Sequence, residues 1–274
     1  MLPQLKLDAS ATVDLLCRFI AEEFDKAGFS RAVVGLSGGI DSALTAALCV
    51  RALGARQVSC LMLPYRDSSA ESVEHARLLA GWLGVDPELV DITPVVEPLF
   101  DRDPAMDRLR RGNIMARARM IILYDHSARD RGLVVGTGNK TESLLGYSTL
   151  FGDSACAINP LGDLYKTQVR QLSSWLGIPD VIIRKAPSAD LWSGQTDEEE
   201  LGFTYERVDA LLVSMIDGRM HDPALIDLGF DANFIATVRA RIRRQRFKRM
   251  LPTVARIGAR PVNADILHPD AWGV

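Results

Sequence analysis

The stretch Val33–Leu48, "VVGLSGGIDSALTAAL", decides the fold. A short β-branched run, Ala32–Leu36, reads as a buried strand, and Ser42–Leu53 reads as a helix stopped by Gly54. Between them sits S-G-G-I-D-S. Glycines 38 and 39 let the backbone bend and come close to a ligand. Amides around Ser37–Ser42 open a helix, where unpaired N–H groups and the helix dipole favour an anion. The hydroxyls of Ser37 and Ser42 add donors. Neither G-x-x-x-x-G-K-[ST] nor G-x-G-x-x-G occurs here. The loop nevertheless suits a pyrophosphate, except that Asp41 would repel it. A magnesium ion between them resolves the conflict, because magnesium binds through one or two carboxylates plus substrate phosphates. Glu142, in "GNKTES", is placed to supply the second carboxylate. The plainer alternative makes Asp41 a simple helix N-terminal acid.

Outward from this stretch, strands and helices alternate. Helices are expected at Asp8–Ala27, Ser68–Leu83, Ala105–Asp130 and Leu164–Leu176. Strands are expected at Val58–Leu63, Leu89–Ile92 and Leu133–Val135, with a fifth at Val181–Ile183. That alternation predicts an α/β fold, a doubly wound and mostly parallel sheet of about five strands. Ligands then bind beyond the carboxyl ends of the strands, where "SGGIDS" and "GTGNKTE" both fall. Residues 1–28 form an N-terminal helix and 29–185 the α/β core of a single domain. Residues 186–204, rich in Pro, Ser, Gly and acid, read as a mobile lid loop, and 205–274 as a helical C-terminal part. Helical pieces are expected there at Tyr205–Ile216, Pro223–Leu228 and Asp231–Arg244.

Composition narrows the classes. The 274 residues are 47% hydrophobic with a net charge of −3, enough for a full core and not basic in bulk. No nucleic-acid partner is expected. Four scattered cysteines (Cys17, Cys49, Cys60, Cys156) form no C-x-x-C, which fits a reducing cytoplasm. No run of about 18 apolar residues exists, so neither a membrane span nor a signal peptide is read. The four histidines lie outside the motif blocks, against a histidine metal site. The run Arg239–Arg249, "RARIRRQRFKR", admits three readings: a solvated face, a clamp on ligand phosphates, or an RNA contact. The helix around "IMARARMIILYDHSA" is apolar on more than one face and invites a partner helix.

The S-G-G-x-D-S pattern resembles the signature of the N-type ATP pyrophosphatases, whose adenine-nucleotide alpha-hydrolase-like fold is Rossmann-like. Four further blocks, "RRGNIMARARM" (110–120), "GTGNKTESLLGYSTLFGD" (136–153), "NPLGDLYKTQVRQLSSWLGIP" (159–179) and "KAPSADLWSGQTDEEELGFTYERVDALL" (185–212), together resemble the NAD synthetases, over roughly residues 29–249. The resemblance implies a cytoplasmic homodimer that converts deamido-NAD, ATP and ammonia to NAD, AMP and pyrophosphate with Mg2+. It implies ATP contacts at Gly35, Leu36, Ser37, Gly38, Gly39, Ile40, Asp41, Ser42, Thr137, Lys166 and Ser188. It places Arg117, Tyr147 and Lys248 on deamido-NAD, and Asp41 and Glu142 on the metal. Asp41, Lys166 and Asp153 would be the catalytic set, Asp153 near ammonia. The chain departs from many ammonia-using relatives at Leu150 (Lys there), Ala157 (Asp) and Phe247 (His). "GYSTLFGD" also resembles the synthetase half of glutamine-dependent enzymes, so a separate glutaminase is an alternative ammonia source. The remaining alternatives are another ATP pyrophosphatase with a different acceptor and a non-catalytic nucleotide sensor.

Overall fold

In the computed structural model, which describes residues 2–188, 196–250, 255 and 257, four strands form one parallel sheet in the order β3-β2-β1-β4. The strands are β1 (Arg31–Gly35), β2 (Val58–Met62), β3 (Glu88–Leu89) and β4 (Gly132–Val134). Ala32 and Val34 of β1, with Val58, Cys60 and Met62 of β2, point into one apolar layer; Val33 and Leu61 point into the other. Both faces are thus buried, which is why these strands read as continuous apolar runs.

The first layer holds α1 (Ala9–Ala27), α2 (Ile40–Leu53), α3 (Ala70–Leu83) and, later in the chain, α7 (Lys166–Leu176) and α8 (Asp180–Arg184). The second holds α4 (Thr93–Asp101) and α5 (Arg108–Asp130). The first crossovers run from β1 out to β2 and β3, and the chain then returns to the other side of β1 as β4. That reversal opens a crevice at the carboxyl ends of β1 and β4. A third, wholly helical core closes over it, built from α6 (Lys140–Leu145), α9 (Asp197–Leu201), α10 (Tyr205–Leu212), α11 (Asp222–Asp227) and α12 (Ala232–Arg244).

The fifth strand expected at Val181–Ile183 is a helix, α8. Pro179 and Asp180 start it, Ile182 is fully buried and Val181 stays half exposed, a one-sided burial that suits a helix turn. Short β-branched runs carry no period that separates the two states. The sheet edge beside β4 is instead met by Ile158, in a parallel bridge to Val135. Ala157 N donates to Val134 O (2.9 Å) and Gly136 N to Ile158 O (2.8 Å). Helices α4 and α6 were not expected from the sequence. The expected lid loop falls partly on 189–195, outside the described residues; of the rest, Asp197–Leu201 is helical. Tyr205–Ile216 divides into α10 and a π turn at Val213–Asp217.

Candidate active site

The β1–α2 loop fixes its own shape. Gly38 lies at φ +72°, and a Cβ there would sit 2.1 Å from the backbone oxygen of Ser72 on α3. Only glycine fits both demands. Ser42 Oγ accepts from Ser37 N (3.2 Å) and donates to Gly39 O (3.0 Å). Its hydroxyl therefore closes the loop, while Ser37 Oγ accepts from Gly39 N at 3.3 Å. No side chain caps α2, which leaves its first-turn N–H groups for an anion.

Opposite this loop, α6 carries Glu142 and α7 begins with Lys166. The Lys166 ammonium is almost wholly buried and pairs with Asp41 Oδ2 and, at 3.0 Å, with Glu142 Oε1. It also lies 5.1 Å from the Tyr205 ring centroid, a cation–π contact. Burial alone would lower the lysine; the carboxylates of Asp41 and Glu142 outweigh it and hold it above its ordinary value. Burial pushes the Glu142 carboxyl up to about 7, Lys166 pulling it down and Asp41 adding to the rise. Two carboxylates from opposite loops thus converge on one cation, each keeping 17% of its side chain open. Such an all-oxygen pair fits a hard divalent ion such as magnesium.

One cleft of about 830 Å³ gathers these groups. All of the site residues expected from the sequence line it except Gly38: the rest of the β1–α2 loop, Thr137, Glu142, Lys166, Ser188, Arg117, Tyr147, Asp153 and Lys248. Leu150 and Phe247 line it too, whereas Ala157 does not and serves the sheet edge through its N–H. Arg117 and Lys248 are engaged with the loop after α6. Arg117 donates from Nε and Nη2 to Leu150 O (3.3 and 3.2 Å), and Lys248 Nζ to Gly146 O and Ser148 O (2.8 and 2.5 Å). Tyr147 Oη donates to Glu200 Oε2 on α9 at 2.7 Å. Asp153 Oδ1 accepts from Thr149 N at 2.6 Å, tying the loop to itself.

The sequence model of the NAD synthase family matches residues 12–252. The chain belongs to the NAD synthase family. An NH3-dependent NAD+ synthetase from Pelodictyon phaeoclathratiforme is 53% identical over 268 residues, covering 98% of this chain and 97% of the relative. Among solved structures, the NH3-dependent NAD synthetase of Campylobacter jejuni superposes with a TM-score of 0.78 at 33% identity, covering 91% of this chain and 100% of that one. An NMN synthetase from Francisella tularensis gives 0.81 at 31% identity, covering 91% and 99%.

Several groups in or behind the cleft of this NAD synthase fold are not among the residues expected from the sequence. Asn139 is fully buried; its Nδ2 donates to Asp41 Oδ1 (2.8 Å) while its Oδ1 accepts from Glu142 N (3.0 Å). Its backbone N–H also donates to Glu142 Oε2 (3.2 Å), so this one residue holds both carboxylates, and the capping-box spacing N-K-T-E was the signal for it. Lys185 adds a third ammonium at the cleft, beside Lys166 and Lys248, donating to Ser72 Oγ at 2.7 Å. The basic run divides: Arg239 pairs with Asp222 while Arg243, Arg244 and Arg246 are exposed, as in a solvated face paired with acids, whereas Arg241, Lys248 and Arg249 reach backbone carbonyls. Arg241 Nε donates to Leu145 O (3.1 Å), and Arg249 Nη1 to Ser143 O and Leu144 O (3.3 and 2.8 Å). Together with Lys248 these cations cap the carboxyl end of α6, where the helix dipole is negative. Gln245 packs so closely on Gly146 (φ +64°) that a Cβ there would lie 2.3 Å from the Gln245 Cβ.

Proposed function

We propose that the chain is an ATP-dependent ligase that makes NAD from deamido-NAD and ammonia. The observation that carries this is the convergence of Asp41, Glu142 and Lys166 beside an uncapped helix N-terminus, in a chain about half identical to NH3-dependent NAD+ synthetases over nearly its whole length. That relationship favours free ammonia over a separate glutaminase, and NAD synthesis over another ATP pyrophosphatase acceptor. A sensor has no use for two carboxylates converging from opposite loops.

The nicotinate carboxylate attacks the α-phosphorus of ATP, and the α–β phosphoanhydride bond breaks. Ammonia then attacks the adenylated carbonyl carbon and AMP leaves with one former carboxylate oxygen. The first-turn amides of α2 hold the departing pyrophosphate, with Lys166 balancing its charge. Asp41 and Glu142 are the residues that would hold magnesium. When bound there, the ion neutralises charge developing on the pyrophosphate. Leu36 and Leu61–Pro64 make the dry wall for the adenosine, joined by Thr137 and Ser188. Tyr147 faces the nicotinate ring and Asp153 the incoming ammonia, while Arg117 and Lys248 support deamido-NAD through the loop they hold.

The protein works as a homodimer in the cytoplasm. Exposed Leu109, Ile121 and Tyr124 along α5 favour a self-partner, and all four cysteines are unpaired thiols. Among the described residues no helix is long and apolar enough to cross a membrane.

The test is NAD formation from ATP, magnesium and deamido-NAD, with an ammonium salt in one arm and glutamine in another. A third arm replaces deamido-NAD with nicotinate mononucleotide, given the NMN synthetase among the solved structures. NAD with ammonium alone, with AMP and pyrophosphate in step, is the expected result. Folded protein that yields NAD in neither of the first two arms overturns the proposal.

A further inference from the structure

Glu142 and Lys166 lie on different helices, yet their charged atoms meet at 3.0 Å. The bonds that fix α6 against α7 lie directly beneath them. Thr141, the residue before Glu142, is fully buried. Its Oγ1 accepts from Lys166 N (3.0 Å) and donates to Asp209 Oδ1 (2.6 Å). The other oxygen of the same carboxylate, Asp209 Oδ2, accepts from Thr167 N at 2.8 Å. Asp209 sits on α10 and is fully buried. One carboxylate and one hydroxyl therefore satisfy the first two N–H groups of α7, which helix geometry leaves without internal partners. The same pair grips the residues on either side of the reactive contact: one before Glu142, one after Lys166.

We propose that Asp209, acting through Thr141, is a positioning residue that sets the register of α6 against α7, so that Glu142 and Lys166 converge on Asp41. The inference rests on the function proposed above. The polarity of the relay makes it specific. Thr141 has one hydroxyl proton, and with Lys166 N–H on one lone pair that proton points at Asp209. In Asp209→Asn the amide oxygen must face Thr167 N, because that group can only donate. The amide NH2 then confronts Thr141 Oγ1, and the hydroxyl proton loses its acceptor. Thr141→Val removes the relay with almost no change of shape, and Thr141→Ser keeps it.

The experiment compares wild type, Asp209→Asn, Thr141→Val, Thr141→Ser and the Asp209→Asn/Thr141→Val double variant. NAD formation is measured at saturating substrates, and binding of AMP and of magnesium pyrophosphate by calorimetry. The expected losses in kcat are about 10- to 100-fold for Asp209→Asn and Thr141→Val, as for groups that orient a reactive ligand. Thr141→Ser stays within about threefold of wild type, and the double variant is no slower than the slower single, because both cut one relay. Pyrophosphate binding weakens by about tenfold or more, while AMP binding stays within about twofold. If Asp209→Asn does not fold, the valine and serine variants at 141 decide the matter alone. A valine variant with near wild-type kcat and only a lowered melting temperature overturns the proposal. So does an equal loss of AMP and pyrophosphate binding, which would mean general loosening. Inactive wild type would instead strike the proposed function.

Discussion

The two walls of the cleft are built by different means. The β1–α2 wall spans Gly35–Ser42 and its backbone is closed largely by its own hydroxyls and amides; from outside, the Ser72 carbonyl bears on Gly38, the Leu61 carbonyl accepts from Leu36 N, and Asn139 and Lys166 reach only the Asp41 side chain. The facing wall, α6 and the loop to Asp153, is assembled from afar. Asp209 reaches Thr141 across 68 residues, and Lys248 reaches Ser148 across 100. An anion can be read by consecutive backbone amides, so its cradle fits in one short motif. Two carboxylates meeting across a cleft need two elements fixed in register, and that register is set by distant side chains.

This contrast can be broken from either side. The largest effect is expected where the walls meet: Lys166→Met should lower NAD formation by at least ~10²–10³-fold, as loss of a preorganised charge does. Steady-state assay with circular dichroism checks that the variant is folded; activity within tenfold of wild type would contradict the assignment. Next comes Gly38→Ala on the local wall. The left-handed φ and the Ser72 clash predict a loss of ~1–3 kcal/mol in urea unfolding and a collapse of ATP affinity by calorimetry. An alanine variant with wild-type affinity would mean that the loop can re-form around a side chain. A smaller effect is expected from Arg249→Met on the distant wall. Its guanidinium serves Ser143, Leu144 and Ile242 carbonyls but is partly exposed, so ~1–2 kcal/mol of stability should go, with activity falling less than about tenfold. Unchanged thermal and urea midpoints would show that the basic run is not what holds α6.

The same contrast explains what the sequence disclosed. The strands Ala32–Leu36 and Val58–Leu63 were legible because burial on both faces leaves a continuous apolar run. The S-G-G-I-D-S loop was legible because its chemistry is consecutive. Thr141 and Asp209 were not singled out, since each is an ordinary polar residue on a helix until the fold brings them together; Asn139, the N-cap of α6, showed only its capping-box spacing. The arginines of 239–249 look like a solvated face in one dimension; in three, Arg241 and Arg249 find the carbonyls that end α6. Val181–Ile183 misled because three β-branched residues have the propensity of a strand, while the edge they would have filled was taken by Ile158.

The most direct test of the central claim, that this cleft adenylates a carboxylate before ammonia arrives, is isotopic. Deamido-NAD labelled with ¹⁸O in its nicotinate carboxylate is turned over with ATP, magnesium and ammonium, and the AMP is analysed by mass spectrometry. One labelled oxygen in the AMP phosphate is the predicted result, carried there by the bond formed at the α-phosphorus. Unlabelled AMP alongside NAD would contradict it.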